Sequence, residues 1–261
     1  MLKNIVFDLG GVVVDYNPHD YLTERFLDKP LEDFLYEHIF ASGIWRELDA
    51  GRITLSKGVQ LMLADCSNHR YEAQMVLDDW RDMLTTKTDT VRLMEKLHDA
   101  GYHLYFLSDI SADVLNIFRE KKRFMRLFEG GIASCEVHLL KPERAIFTCL
   151  LDTYQLNPTE TVFVDDLKEN IDAAAELGFT TIPFKNTADH YKMLIFLGVP
   201  LQDPSAKKNS NRKKKPPAGK KPLFHKKTVP SKTQKTLSPP IVNSNPAKFS
   251  DPLEQPIDPL P

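Results

Sequence analysis

The sequence feature that most constrains the fold is an alternation of short apolar runs with segments of helical periodicity. Runs with the length and composition of buried strands occupy residues 4–7, 102–107, 131–137, 161–164 and 180–183. From residue 88 onward, apolar residues recur at helical spacing between these runs, and Gly101 and Gly178 end two of the helical segments. Strands that alternate with helices favour a parallel sheet with crossover helices. We therefore predict an α/β fold with a Rossmann-like parallel sheet.

Residues 16–87 break this alternation, and we call them the helical insertion. Their apolar residues recur at helical spacing, and no convincing strand pattern occurs among them. We expect an all-helical domain that is inserted after the first strand. Residues 1–15 and 88–200 would then form the core of the fold.

The last 61 residues have a different composition from the rest. Residues 201–261 hold 13 Lys or Arg, only 4 Asp or Glu, and 12 of the 18 prolines. Such a segment buries too little apolar surface to offset its ordering entropy, so we predict a disordered basic tail. A solvated extension is the simplest interpretation. Electrostatic attachment to an anionic partner, either nucleic acid or a membrane surface, is the alternative.

Several classes of protein are disfavoured by composition and spacing. No run of roughly 18 apolar residues is present, which argues against a transmembrane span. Asp8 and Asp15 interrupt and end the apolar N-terminal stretch, which argues against a secretory signal. The three cysteines show no paired spacing, which argues against a disulfide framework or a zinc site. We predict a cytoplasmic protein.

Polar residues follow the predicted strands at the points where those strands end. Asp8, Ser108 and the pair Asp165 and Asp166 stand at such ends, and Lys141 follows shortly after another. The carboxyl ends of parallel strands meet at one edge of a sheet, where ligands bind. A carboxylate there can bind a cation or attack an electrophile, and an acidic pair can hold a hard cation such as Mg²⁺.

Other residue types in the same set suit a phosphate. Gly10 and Gly11 allow the backbone to approach an anion and to present its N–H groups. Ser108 offers a hydroxyl donor, and Lys141 offers a fixed positive charge. Mg²⁺ and Lys⁺ together would screen a phosphoryl group from an attacking carboxylate.

The four segments resemble the motifs of the haloacid dehalogenase superfamily of phosphohydrolases. In chain order they are Ile5–Val12, Leu107–Asp109, Lys141–Glu143 and Val162–Asp166, and the resemblance covers about residues 1–199. It implies that the helical insertion is the cap of that family. The stretch Trp45–Thr54 resembles part of the caps of sugar-phosphate phosphatases in the glucose-1-phosphatase-like branch.

The resemblance implies a role for each position. Asp8 would be the nucleophile that forms an aspartyl-phosphate, and Ser108 and Lys141 would grip the phosphate. The same phosphate site would include Gly10, Gly11 and Asp109. Mg²⁺ would be held by Asp8, the Gly10 carbonyl, Asp165 and Asp166. Asp15, Trp45 and Arg46 are candidate contacts between the cap and the substrate.

The expected function is that of a Mg²⁺-dependent phosphatase acting on a small phosphorylated metabolite, with a sugar phosphate as the expected substrate. Two residues depart from the family pattern. The family often has Asn where this chain has Asp109. Its phosphatases usually carry a second Asp, which protonates the leaving group, where this chain has Gly10.

Four explanations of Gly10 stay open. The leaving group departs without help, another carboxylate such as Asp15 substitutes, the chain is a dehalogenase, or it is catalytically silent. The last explanation leads to the alternative function, a binding or regulatory protein that is tethered to an anionic partner by its basic tail.

Overall fold

A computed structural model describes residues 2–201 of the chain, so the predicted tail lies outside the described residues except for Leu201. Five strands form one sheet in the order β3-β2-β1-β4-β5, and all neighbouring strands are parallel. This confirms the predicted Rossmann-like parallel sheet. The strands are β1 Asn4–Phe7, β2 His103–Ser108, β3 Gly130–Ala133, β4 Thr161–Asp165 and β5 Thr180–Pro183.

The central strand β1 is buried on both faces, which explains its unbroken apolar sequence. Val6 pairs with Tyr105 of β2 on one side and with Phe163 of β4 on the other. The backbone N–H of Asp8 donates to the Val164 carbonyl at 2.9 Å and extends this ladder by one residue. Asp8 is thereby fixed at the carboxyl edge of the sheet.

Helices cover both faces of the sheet. Ile5 and Phe7 belong to the apolar core shared with the helices Thr88–Asp99, Ala112–Lys121 and Thr187–Phe196. Val6 belongs to the core shared with the helices Arg144–Tyr154 and Lys168–Glu176. No helix within residues 2–201 is long and apolar enough to cross a membrane. The helices are α6 Thr88–Asp99, α7 Ala112–Lys121, α8 Ser134–Val137, α9 Arg144–Tyr154, α10 Lys168–Glu176 and α11 Thr187–Phe196.

The helical insertion consists of helices, as the sequence predicts. Ser42 and Thr54 cap two of them, because their hydroxyl oxygens accept hydrogen bonds from the backbone N–H groups of Trp45 and Lys57. The helices are α1 Pro18–Phe26, α2 Lys29–Leu35 with a π-helical turn Tyr36–Phe40, α3 Gly43–Asp49, α4 Leu55–Asp65 and α5 Arg70–Asp79, with 3₁₀ turns at Ser67–His69 and Trp80–Met83.

Two adjacent backbone segments connect the insertion to the sheet. The N–H of Asp15 donates to the Thr85 carbonyl at 2.8 Å, and the N–H of Lys87 donates to the Val13 carbonyl at 2.9 Å. Because the chain enters and leaves the insertion side by side, one short region sets where the insertion lies above the sheet edge.

The predicted strand over residues 131–137 is wrong in its second half. Strand β3 ends at Ala133, and Ser134–Val137 form the short helix α8. The Ser134 hydroxyl accepts the Ile110 N–H at 2.8 Å and draws the chain across the sheet edge. The apolar residues that follow therefore do not continue the ladder with β2.

Candidate active site

Three of the predicted residues meet as buried charges at the carboxyl edge of the sheet. The Lys141 ammonium lies 3.0 Å from Asp8 Oδ1 and 2.7 Å from Asp165 Oδ2. All three side chains are at most 10 % exposed. One buried cation therefore faces two buried carboxylates, which leaves an excess of negative charge.

Asp8 is the residue most affected by this excess. Burial raises its pKa to about 8, and the negative charges of Asp165 and Asp166 add to the rise, while Lys141 opposes it. The carboxylate oxygen Oδ1 also accepts the Leu9 N–H at 2.7 Å, which fixes the orientation of the side chain. The raised pKa indicates that the folded site favours an additional positive charge near Asp8.

Asp165 is held in place by its own neighbours. Its oxygen Oδ1 accepts the Leu167 N–H at 2.9 Å, and the Asn170 side-chain amide donates to both carboxylate oxygens at 3.0 and 3.1 Å. Sequence reasoning missed Asn170. The spacing of five residues from Asp165 is the signal that could have found it, since it places Asn170 in the first turns of α10.

The acidic residues fit a divalent cation. Asp8, Asp165 and Asp166 each offer a carboxylate oxygen, and these three oxygens lie within 4.8 Å of one another. Gly11 is needed beside them, because its φ is +72° and an added Cβ would lie 2.2 Å from Asp166 Oδ2. A cluster of hard oxygen donors with an excess of negative charge is the donor set that Mg²⁺ prefers.

Ser108 and Asp109 lie beside this cluster. Ser108 is 2 % exposed at the end of β2. Asp109 Oδ1 accepts the backbone N–H of Lys141 at 3.0 Å, so this carboxylate positions the lysine segment. Burial raises the pKa of Asp109, although the charge of Lys141 opposes the rise. A phosphate contact by Asp109 stays a prediction.

A cavity of about 450 Å³ opens over the sheet edge. Its floor is charged, whereas its walls are largely aromatic. Trp45, at the centre of these walls, packs 5.0 Å from Phe40 and 4.7 Å from Trp80 between ring centroids. The residues that line the cavity include Asp8, Gly10, Ser108, Asp109, Lys141 and Asp166 from the sheet edge, and Tyr16, His19, Tyr36, Phe40, Trp45, Arg46, Asp49 and Trp80 from the insertion.

Helix α3 contributes two charged residues, Arg46 and Asp49, to the insertion wall. Arg46 is exposed and lines the cavity, as does the half-buried Asp49. Burial raises the pKa of Asp49 to about 8, and the negative charges of Asp109 and Asp113 add to the rise. Sequence reasoning missed Asp49, although it lies within the stretch Trp45–Thr54 that resembles the family's caps.

Asp15 pairs with residues at the end of the helical insertion. Its carboxylate accepts hydrogen bonds from the Lys87 ammonium at 2.6 Å and from the Thr85 hydroxyl at 2.5 Å. These bonds lower its pKa against the opposing effect of burial, and it is not among the residues that line the cavity. These contacts argue against a role for Asp15 as a substrate contact or as a replacement for the missing acid, and both roles stay predictions.

The end of α3 is fastened to the sheet side of the site. The Ser134 hydroxyl donates to the Asp49 carbonyl at 2.5 Å, and His138 Nδ1 lies 2.8 Å from the Ala50 carbonyl oxygen. Gly51 has a φ of +64°, and an added Cβ would lie 2.3 Å from the Cys135 carbonyl oxygen. Only glycine allows this approach, which brings the end of α3 against α8.

Known proteins with similar sequences include a hydrolase family and two phosphatases. The profile of the haloacid dehalogenase-like hydrolase family matches residues 2–178. The chain is 28 % identical to a D-ribitol-5-phosphate phosphatase from Bacteroides thetaiotaomicron over 72 % of this chain and 95 % of that protein. It is 24 % identical to a sesquiterpene phosphatase from Aspergillus oryzae over 67 % of this chain and 86 % of that protein.

Among solved structures, a HAD family enzyme from Bacteroides thetaiotaomicron in complex with magnesium and inorganic phosphate has the same fold. It matches with a TM-score of 0.56 and 24 % identity, over 71 % of this chain and 95 % of that one. The likeness extends beyond the sheet, because it covers most of both chains.

Proposed function

Because the chain belongs to the haloacid dehalogenase-like hydrolases, we propose that it is a Mg²⁺-dependent phosphatase that acts on a small phosphorylated metabolite, with a sugar phosphate as the favoured substrate class. The observation that carries the proposal is the buried Asp8 beside Lys141 at the floor of the cavity. The names of the two phosphatase relatives support the reaction, and the D-ribitol-5-phosphate phosphatase supports the substrate class.

In the proposed reaction, the Asp8 carboxylate attacks phosphorus and forms an aspartyl-phosphate, which water then hydrolyses. Ser108 and Lys141 bind the phosphoryl oxygens, and the ammonium of Lys141 balances the charge that accumulates there. Asp8, Asp165 and Asp166 would hold Mg²⁺, which supplies electrostatic stabilisation of the phosphoryl group when it is bound.

We assign substrate selection to the helical insertion, which we take to be the cap, a separate domain over the sheet edge. A volume of about 450 Å³ suits a small metabolite. Trp45 and Arg46 would contact the part of the substrate that lies beyond the phosphate. The aromatic wall would exclude water from the reacting phosphoryl group.

The experiment is phosphate release from a panel of sugar and polyol phosphates and one activated aryl phosphate. It is run with and without Mg²⁺ on the wild type and on Asp8→Asn, with Asp15→Asn as a matched control outside the cavity. We expect release that requires both Mg²⁺ and Asp8 and that survives in Asp15→Asn. Equal release by the wild type and Asp8→Asn on every substrate would contradict the proposal.

That contradictory result would favour the alternative function, a binding or regulatory protein with a basic tail. The tail lies outside the described residues, so its anionic partner stays a prediction from composition.

The three cysteines of the chain are free thiols. The cytoplasmic location also stays a prediction.

A further inference from the structure

The proposed phosphatase reaction lacks one group at the expected position. A sugar or polyol phosphate releases an alkoxide-like oxygen, which needs a proton as the bond to phosphorus breaks. Gly10 lines the cavity but has no side chain that can donate one. If the chain is a phosphatase for such substrates, a proton donor elsewhere in the cavity would assist the leaving oxygen.

Asp49 is a carboxyl group of the insertion that lines the same cavity as Asp8 and Ser108. It is the last residue of α3, where the negative end of the helix dipole disfavours a second negative charge. Asp109 and Asp113 raise its pKa by their negative charges, and the charge of Arg46 and a hydrogen bond with the Trp45 side chain, both on its own helix, partly offset them. Tyr16 also faces it, since the charge of Asp49 adds to the rise that burial causes in the pKa of Tyr16.

These surroundings favour the protonated form of Asp49 near neutral pH. Burial is the largest cause of its raised pKa, and the Arg81 guanidinium already pairs with Asp113 at 2.5 Å. A carboxyl group whose pKa lies close to the working pH is suited both to donate a proton and to take one back.

The backbone of Asp49 is also held firmly. Its carbonyl accepts the Ser134 hydroxyl, and the neighbouring Ala50 carbonyl lies 2.8 Å from His138 Nδ1. Gly51 then brings the chain against Cys135. Residue 49 is therefore fixed at the cavity wall by backbone contacts with Ser134 and His138, which lie close in sequence to Lys141.

We propose that Asp49 is the general acid and general base of the reaction, in place of the side chain that Gly10 lacks; the inference rests on the proposed phosphatase function. In the first step an Asp8 oxygen bonds to phosphorus, the bond from phosphorus to the leaving oxygen breaks, and that oxygen takes the Asp49 proton. In the second step a water oxygen bonds to phosphorus, its proton passes to the Asp49 carboxylate, and Asp8 is released as a carboxylate with inorganic phosphate.

The test compares Asp49→Asn with Glu47→Gln. Glu47 is a carboxylate on the same helix that pairs with Arg52 at 3.0 Å and is not among the residues that line the cavity. On a sugar or alkyl phosphate, Asp49→Asn should lower kcat by about 10²–10⁴-fold, and Glu47→Gln should not. On an activated aryl phosphate the leaving group needs no proton, so the first step should be nearly unchanged.

A second readout separates this role from a structural one. With the aryl phosphate, Asp49→Asn should release one equivalent of the phenol in a burst. Further release should then be slow, because the water that hydrolyses the aspartyl-phosphate lacks its general base. Acid quench and intact mass measurement should then show a phosphoryl group accumulating on the Asp49→Asn chain. Equal losses on alkyl and aryl substrates, with no burst and no accumulated adduct, would overturn the inference.

The wild type provides a measurement that does not depend on the folding of a variant. Across a series of leaving groups, the wild-type rate should depend weakly on the pKa of the leaving group, because the acid protonates poor leaving groups. A steep dependence would overturn the inference while leaving the phosphatase proposal intact. If the wild type releases no phosphate that depends on Asp8, the proposed function itself fails.

Discussion

The sheet edge and the insertion wall contribute opposite kinds of surface to one cavity. The sheet edge presents buried charges in fixed contact, with Lys141 between Asp8 and Asp165. The insertion wall presents aromatic rings around Trp45 and one carboxyl group, that of Asp49. The charges are held by strand ends and backbone hydrogen bonds, whereas the rings are held by packing against one another.

The two surfaces correspond to two separate roles in the proposed reaction. A charged floor built from strand ends suits the phosphoryl group, which every substrate of such an enzyme shares. A wall built from an inserted segment can vary its side chains without disturbing the sheet. We propose that the wall also holds the proton donor, so that the reaction needs both regions.

The largest effect should come from removing the cation of the sheet edge. Lys141→Met leaves two buried carboxylates without their partner, which should lower the free energy of unfolding by about 3–5 kcal/mol. Phosphate release should fall at least about 10²-fold. Urea denaturation and the release assay measure the two losses.

The matched control for Lys141 is Lys168, an exposed lysine that pairs with Asp172 one helical turn away. Lys168→Met should lower the free energy of unfolding by less than about 0.5 kcal/mol. Similar losses in the two variants would mean that the sheet edge is not held by its buried charges.

The next prediction concerns Asp49 of the insertion wall, where a substitution should raise the free energy of unfolding. The folded pKa of Asp49 is raised from 3.8 to about 8, so its contribution to stability is fully present below pH 3.8 and is lost as the pH rises toward 8. Asn mimics the protonated form. Asp49→Asn should therefore stabilise the protein, by an amount that grows with pH between 4 and 8 at a rate of up to about 1.4 kcal/mol per pH unit.

Thermal denaturation at several pH values measures this gain. The comparison needs Asp109, Asp113, Arg46 and Tyr16 intact, since these groups face Asp49. Glu47→Gln, the control on the same helix, should show no gain that depends on pH. A constant or negative effect of Asp49→Asn would contradict the protonated state that we assign to this residue.

A smaller effect concerns the joint between the two regions. Gly51→Ala places a Cβ against the Cys135 carbonyl at a positive φ, so it should destabilise the protein by about 2 kcal/mol. Gly43→Ala, at the start of the same helix, meets no atom within 4 Å and should be neutral or slightly stabilising. Equal melting temperatures for the two variants would show that the end of α3 is not held against α8.

The smallest expected effect comes from placing a carboxyl group at Gly10 on the sheet edge when the one at Asp49 has been removed. An added Cβ at Gly10 has only one neighbour, Tyr16 Cβ at 3.8 Å, so Gly10→Asp is sterically allowed. In the Asp49→Asn background it should restore turnover of alkyl phosphates by about tenfold. A folded double variant with no gain over Asp49→Asn would show that the two positions do not serve the same reacting oxygen.

Much of the sheet edge could be predicted from the sequence. Asp8, Ser108, Lys141, Asp165 and Asp166 are separated by up to 158 positions, yet parallel strands bring their carboxyl ends to one edge by topology alone. The charges could therefore be placed together without knowledge of any side-chain packing.

The insertion wall could not be predicted in the same way. Helical periodicity gives the helices of the insertion, but their angles depend on tertiary contacts such as the Ser134 hydroxyl at the end of α3. No sequence pattern distinguishes Asp15 from Asp49. Only the fold shows that Lys87 pairs with Asp15 and that Asp49 lines the cavity. The strand predicted over residues 131–137 failed for the same reason, because the Ser134 contacts turn the chain.

The most direct test of an aspartyl-phosphate on Asp8 is a rapid acid quench of the wild type during turnover, followed by mass measurement of its peptides. The reaction contains Mg²⁺ and a substrate identified by the phosphate-release panel. If Asp8 is the nucleophile, one phosphoryl group is found on the peptide that contains Asp8, and none on Asp8→Asn treated in the same way. Sustained phosphate release with no adduct at Asp8, or an adduct that persists in Asp8→Asn, would contradict it.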